Sequence, residues 1–402
     1  MEVADFFLKF FLIIVSAKLM AELFAHFGLP SVIGEVMAGV IIGPSLLGII
    51  GAEPTLLLLA QIGILFLLFQ VGMETDVTQL FAVGRQSIMV ATTGVVLPFV
   101  IGYAASHYFF GFSSSASAFI GGTLVATSIG ITLRVLKDLG HQRSHIAIVV
   151  LGAAVIDDVI GVVILAMLLE YTLIGKIDLI SSVKVIGFVT LFLVAAPVMS
   201  RWFVSFAAKA AKVSKTPGIL ASIVVAFILI LAVLADKVGA PEIIGAFAAG
   251  LAITRKSIFS TGKSRQSARD ELVTKVENSM TPISDLFIPV FFVMVGVSIN
   301  LKAIDFTSHQ FWMFALSMTI LAFISKGVSG LWVKGSPISK LAVGIAMVPR
   351  GEVGLIFART GLKEGIFDDA TYTSMVFVVA LTTLVTPLLL KTVLKRHQNV
   401  TG

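Results

Sequence analysis

The sequence predicts an all-α integral membrane protein of about thirteen transmembrane helices, and three observations lead there. Of 402 residues 57% are hydrophobic and 13% charged, with a mean hydropathy of +1.03, so the bilayer rather than water must be the main solvent. Apolar runs of about 20 residues, enough to span ~30 Å of hydrocarbon at ~1.5 Å per residue, recur along the whole chain. Two distant stretches share one spacing of Pro and Gly, which marks an internal repeat.

Charged or Gly/Pro-rich breaks divide the chain into segments near residues 5–26, 31–50, 55–73, 85–110, 115–138, 145–172, 178–208, 217–236, 240–254, 282–300, 307–333, 338–360 and 370–393. The first follows Glu2 and Asp5 and lacks the basic flank and small-residue cleavage site of a signal peptide, so it is expected to remain as a helix. The second opens with Pro30-Ser-Val-Ile-Gly-Glu-Val-Met-Ala-Gly, and the ninth with Pro241-Glu-Ile-Ile-Gly-Ala-Phe-Ala-Ala-Gly. The third ends in Phe69-Gln70-Val71-Gly72-Met73 and the tenth in Val293-Met294-Val295-Gly296-Val297. Segments two and nine are seven apart, an odd step, so the related sequences cross the membrane in opposite directions. This is an inverted repeat, although pairs such as Gly39/Gly43 and Gly245/Ala249 also suit close helix packing. The fifth segment contains Val125-Ala-Thr-Ser-Ile-Gly-Ile-Thr132, and the twelfth, again seven later, Met347-Val-Pro-Arg-Gly-Glu-Val-Gly354. Pro349 removes a backbone donor while Gly351 and Gly354 weaken the helix, so an unwound stretch is expected there, with the matching part of the fifth segment as its counterpart.

Alternate loops differ in charge. Lys137 and Arg143, Arg201 to Lys215, Arg255 to Lys275, and Lys391 to Arg396 form one basic set, which the positive-inside rule places in the cytoplasm. The loops around Glu53, Gly111, Asp178, Asp236 and Asp368-Asp369 are neutral or acidic, which puts the N-terminus outside and the C-terminus inside. The net charge of +6 is thereby assigned to orientation, and nucleic-acid binding is not expected. Trp202, Trp312, Trp332, Tyr108, Tyr171 and Tyr372 fall near segment ends, as an aromatic belt requires. Without cysteine there are no disulfides, thiolate metal sites or cysteine nucleophiles.

Asp157-Asp158 are the only charges between Ile146 and Leu169. An acid at the centre of an inserting helix costs about 2.5–3.5 kcal/mol, so two adjacent ones point to a use. Neighbouring helix positions diverge by roughly 100°, so one carboxylate can bind an ion while the other pairs. Lys326, the only charge between Phe311 and Val333, is the available partner; snorkelling toward Trp332 is its structural alternative. Arg350 and Glu352 are expected to be mutual partners supporting the broken segment, and Glu35 and Glu74 to be interfacial. A hard monovalent cation wants oxygen ligands, which Asp158, Asp157, the hydroxyls of Thr127 and Ser128, and carbonyls freed at a helix break can supply. A proton wants the same carboxylate. Since a charged carboxylate is costly to move through hydrocarbon unless neutralised, competition between the two cargoes produces exchange.

Ala153-Ala-Val-Ile-Asp-Asp-Val-Ile-Gly161, Ala126-Thr-Ser-Ile-Gly-Ile-Thr132, Pro349-Arg-Gly-Glu-Val-Gly-Leu355 and Lys326 together resemble the bacterial NapA-type sodium/proton antiporters of the monovalent cation:proton antiporter superfamily, over essentially the whole chain. The resemblance implies an inner-membrane homodimer that moves sodium, with lithium or potassium as further candidates, against protons by an elevator-like motion. Residues 1–80 and 217–300 are then mainly the dimerisation domain, 85–172 and 307–395 mainly the core with two crossed broken helices, and 178–208 a linker helix. Carried over by resemblance, Asp158 is the ion-binding, proton-carrying acid, Asp157 the acid paired with Lys326, and Thr127 a polar group at the crossover. No cofactor is implied. Related glutathione-gated potassium-efflux proteins have Gln-Asp and a nucleotide-binding domain; Asp-Asp and the chain's end soon after the last segment argue against that branch. A bile-acid-type sodium symporter could share the architecture, but an acid pair facing a lysine fits proton exchange better. An intramembrane aspartyl protease needs acids on separate helices, whereas adjacent positions point apart.

Overall fold

The computed structural model describes residues 3–75, 82–174, 218–237, 241–253 and 263–401, with the single positions 183, 187, 191, 195, 206 and 216. The segment expected over 178–208 lies outside these apart from isolated positions. The described residues form α1 (Val3–His26), α2 (Ser31–Ile42), α3 (Pro54–Glu74), α4 (Gly84–Ala104, continued by a π-helical turn Ala105–Phe109), α5 (Ser114–Val125), α6 (Ile129–Asp138) and α7 (His145–Ile174). They continue with α8 (Ile219–Lys237), α9 (Glu242–Ile253), α10 (Lys263–Val297), α11 (His309–Ser329), α12 (Pro337–Ala346), α13 (Glu352–Lys363) and α14 (Asp369–Thr401). Among the described residues eight spans are long and apolar enough to cross a membrane, with Ser114–Asp138 counting as one of them. The protein is a multi-pass, all-helical membrane protein.

Local chemistry sets the ends. Ser113, Ser308 and Ser336 accept hydrogen bonds from the backbone N–H groups of Ala116, Phe311 and Ser339, capping α5, α11 and α12, and Pro337 occupies the first turn of α12. The second segment, expected over 31–50, is helical only to Ile42, because Gly43 and Pro44 stop the helix and the chain turns through Gly48. The tenth, expected over 282–300, begins much earlier: α10 runs from Lys263 with Pro282 and Pro289 inside it. Its early turns are polar, so hydropathy hides them, but the Glu271–Lys275 pair at 2.7 Å marks a helical i,i+4 spacing.

The chain forms two compact units. One comprises Met1–Leu56, Val83–Leu179 and Phe292–Gly402, the other Leu57–Ala82 and Ile180–Phe291. In the first, a Cβ at Gly34 would overlap the Met20 carbonyl, so α1 and α2 touch backbone to backbone; Gly39 meets Gly296 in the same manner. In the second, Gly245 presses on the Leu231 carbonyl and Gly250 on Gly72. The two repeats thus use the same glycines of one motif for the same contacts, with small residues allowing close approach where lipid offers no hydrophobic drive to pack. The first unit also holds an apolar cluster around Phe119, Phe314 and Phe357, in which the Phe357 ring covers Gly122 and so packs α13 on α5.

Candidate ion-binding site

The fifth and twelfth segments are both broken, and they cross at their breaks. Ala126 and Ser128 are extended, which separates α5 from α6; residues 347–351 separate α12 from α13. Each break leaves backbone groups without helical partners, and the other break supplies them. Ser128 N donates to Pro349 O at 2.8 Å, Thr127 Oγ1 to Met347 O at 3.0 Å and Thr132 Oγ1 to Ala346 O at 2.7 Å. Arg350 Nη1 donates to Ala126 O at 3.0 Å and Val125 O at 3.4 Å, a cation on the negative C-terminal end of α5. Thr383 Oγ1 on α14 donates to Arg350 O at 2.6 Å. Arg350 serves the carbonyls of the other broken helix, while the expected pairing with Glu352 falls on a side chain outside the described residues.

Beside this crossover stand the charges. Asp157 and Asp158 on α7 are 0% and 1% exposed, and Lys326 on α11 is 0% exposed. Lys326 Nζ donates to Asp157 Oδ2 at 2.9 Å and to Thr127 Oγ1 at 2.8 Å, and it also interacts electrostatically with Asp158. It turns inward rather than toward Trp332, whose Nε1 donates to Thr93 Oγ1. A continuous row therefore runs from Asp157 through Lys326 and Thr127 to the Met347 carbonyl. With Arg350, the four buried charges sum to zero when all are ionised, which makes their burial tolerable; removing one partner of such a pair costs about 3–5 kcal/mol. Among the described residues Asp157 Oδ1 and Ser128 Oγ are buried and make no hydrogen bond.

Glu35 is not interfacial as expected but 1% exposed, with Arg134 beside it. A separate cavity of about 460 Å³ at the Gly111 end of the unit is lined by Asp305, Asp368, Phe311 and Phe314 among others. Hydrogen bonds from Thr307 and Thr371 hold the carboxyls of Asp305 and Asp368 below the usual carboxylate range, so both stay negative. Its lining includes neither Asp157 nor Asp158.

One further residue packs closely against the site. A Cβ built on Gly94 of α4 would lie 3.3 Å from Lys326 Nζ, so the glycine gives the ammonium its room. Gly94→Ala needs a shift of tenths of an ångström, but the extra methyls of Gly94→Val must push Lys326 off Asp157 or Thr127. Overpacking of this kind costs about 1–3 kcal/mol, and whatever ion flux the site supports is expected to fall roughly tenfold in the valine variant and little in the alanine one. A valine variant with the parent's flux would exclude this role.

Comparison with known proteins agrees with this architecture. The family described as sodium/hydrogen exchanger, transmembrane, matches residues 11–396. The chain belongs to that family. Among its exchanger relatives, the Na(+)/H(+)-K(+) antiporter GerN of Bacillus cereus is 35% identical over 401 residues, covering 96% of each chain. The high-affinity Na(+)/H(+) antiporter NhaS3 of Synechocystis is 31% identical, with 96% of this chain and 88% of that protein covered. The solved structure of the sodium proton antiporter MjNhaP1 from Methanocaldococcus jannaschii matches with a TM-score of 0.71 at 17% identity, covering 98% of this exchanger-family chain and 97% of its own; it supports the fold.

Proposed function

We propose that this protein is a sodium/proton antiporter in which Asp158 carries either the cation or a proton, and Asp157 and Lys326 form a second, coupled pair. The observation that carries the reading is the row from Asp157 through Lys326 and Thr127 to the Met347 carbonyl, which ties the titratable groups to both broken helices. Half-helix ends with irregular backbone at mid-membrane are how transporters hold ions, and carboxylate, hydroxyl and carbonyl oxygens suit a hard monovalent cation. The functions named for these relatives point the same way, and the protein is accordingly read as a transporter rather than an enzyme.

In this reading the transported ions are sodium, also lithium, and protons, with no resident cofactor. Residues 85–172 and 307–395 act as a moving core, 1–80 and 217–300 as the dimerisation domain of a homodimer, and 178–208 as the linker, giving elevator-type alternating access. The relatives' bacterial sources favour a bacterial inner membrane, and the loop charges an N-terminus outside. Potassium as a further cargo is favoured by the name of the GerN relative. The test is dissipation of a preset pH gradient in proteoliposomes on adding sodium, lithium or potassium. Sodium is expected to collapse the gradient; a response to potassium alone would replace the cargo, and no response to any of the three would overturn antiport.

A further inference from the structure

One buried carboxylate has no place in that cycle. Glu35 on α2 has Oε1 3.6 Å from Arg134 Nη2 on α6, and its Oε2 makes no hydrogen bond among the described residues. Arg134 Nε also meets Asp138 Oδ1 at 3.2 Å. Asp138 Oδ2 in turn accepts from Ser31 N at 2.9 Å and Ser31 Oγ at 2.7 Å, and Ser31 Oγ accepts from Arg134 Nη2 at 3.2 Å. Residues 31 and 35 stand one turn apart on α2, as do 134 and 138 on α6, so the two helices are joined by two rungs. The first rung also caps α2: Pro30 has no side-chain cap to offer, and the Asp138 carboxylate lies on the positive helix N-terminus instead. The half-helix α6 is thus pinned at both ends, by Thr132 to the Ala346 carbonyl near the crossover and by Arg134 and Asp138 to α2.

We propose that these rungs form a releasable tether between α2 and the broken helix that opens once in every transport cycle. The proposal rests on the elevator reading above, which places α2 in the dimerisation domain and α6 in the moving core. The contacts are suited to release. Arg134 and Asp138 are 20% and 17% exposed, so water can take over their partners when the helices part. Glu35, by contrast, is fully enclosed, and a buried ionisable group in a membrane protein is retained for a use. Closed, the tether holds α2 and α6 in one compact unit, as they are in this structure.

The chain has no cysteine of its own, so Ser31→Cys with Asp138→Cys gives a clean cross-link across the first rung. In proteoliposomes the oxidised variant is expected to lose sodium-driven proton flux by at least about tenfold and to regain it in dithiothreitol, since a conformational step held shut stops turnover. A working parent alongside a cross-linked variant at full rate would sink the tether alone. A parent that exchanges no cation would sink the transport reading and the tether with it. If the double variant is inactive even when reduced, Arg134→Gln decides. Removing both rungs' shared cation favours the open state, so the half-saturating sodium concentration is expected to shift by about tenfold. An unchanged value overturns the proposal.

Discussion

Asp158→Asn is expected to leave a folded, membrane-inserted protein and to lower sodium-driven proton flux by at least about 100-fold, equivalent to ~2.8 kcal/mol at tenfold per ~1.4. The amide matches the carboxylate in size, so the packing around α7 is kept. It neither takes up a proton in the working range nor presents a charge to a cation, so both cargoes lose their carrier together. Purified protein with unchanged thermal unfolding and no flux would fit. Flux near the parent's would show that the cation and the proton meet elsewhere, and would remove Asp158 from the cycle.

Lys326→Gln is expected to act differently, abolishing the response to voltage rather than exchange itself. The buried charges count the cargo. With sodium bound, Asp157 and Asp158 are negative, sodium and Arg350 positive and Lys326 neutral, a sum of zero. With protons bound, Asp157 is negative, Lys326 and Arg350 are positive and Asp158 is neutral, a sum of one positive charge. On that count the proposed cycle would move one net charge inward, worth about 2.3 kcal/mol at 100 mV, enough to expel sodium against a roughly fiftyfold gradient. Glutamine can still donate a hydrogen bond to Asp157 but carries no proton through the cycle, so exchange continues as one for one. Sodium flux under a potassium–valinomycin potential measures this. A variant as strongly voltage-driven as the parent would take Lys326 out of the charge count.

What the sequence disclosed follows the energies involved. Asp157, Asp158 and Lys326 stood out because a charge inside an apolar run is expensive and needs a partner. The break near Pro349 was legible because proline lacks an N–H. The break at residues 126–128 was less so: Ala126-Thr127-Ser128 contains neither Pro nor Gly, and what holds it open is Ser128 N on Pro349 O and Arg350 on Ala126 O, contacts more than 200 residues away in sequence. Long range also explains Arg350 and Glu35. Each sits near a neighbour or helix end that suggests a local role, while a partner visible in the structure comes from the other broken helix or from α6. Gly94 could not be singled out among 35 glycines, since only the proximity of Lys326 makes its missing side chain matter. The three threonines Thr382, Thr383 and Thr386 in an otherwise apolar run were a signal left unread, and one of them holds the Arg350 carbonyl.

The Thr127 hydroxyl has a single proton, and it faces Met347 while its oxygen receives the Lys326 ammonium. The row of hydrogen bonds consequently has a direction, pointing from α11 through the fifth segment to the twelfth. A lysine that has given up its proton gains a lone pair and becomes an acceptor, which allows the hydroxyl to swing round and reverse that direction. In that orientation the Met347 carbonyl would lose its Thr127 donor. One rotating O–H could in this way report the protonation of Lys326 to the break that follows α12 without either helix having to move.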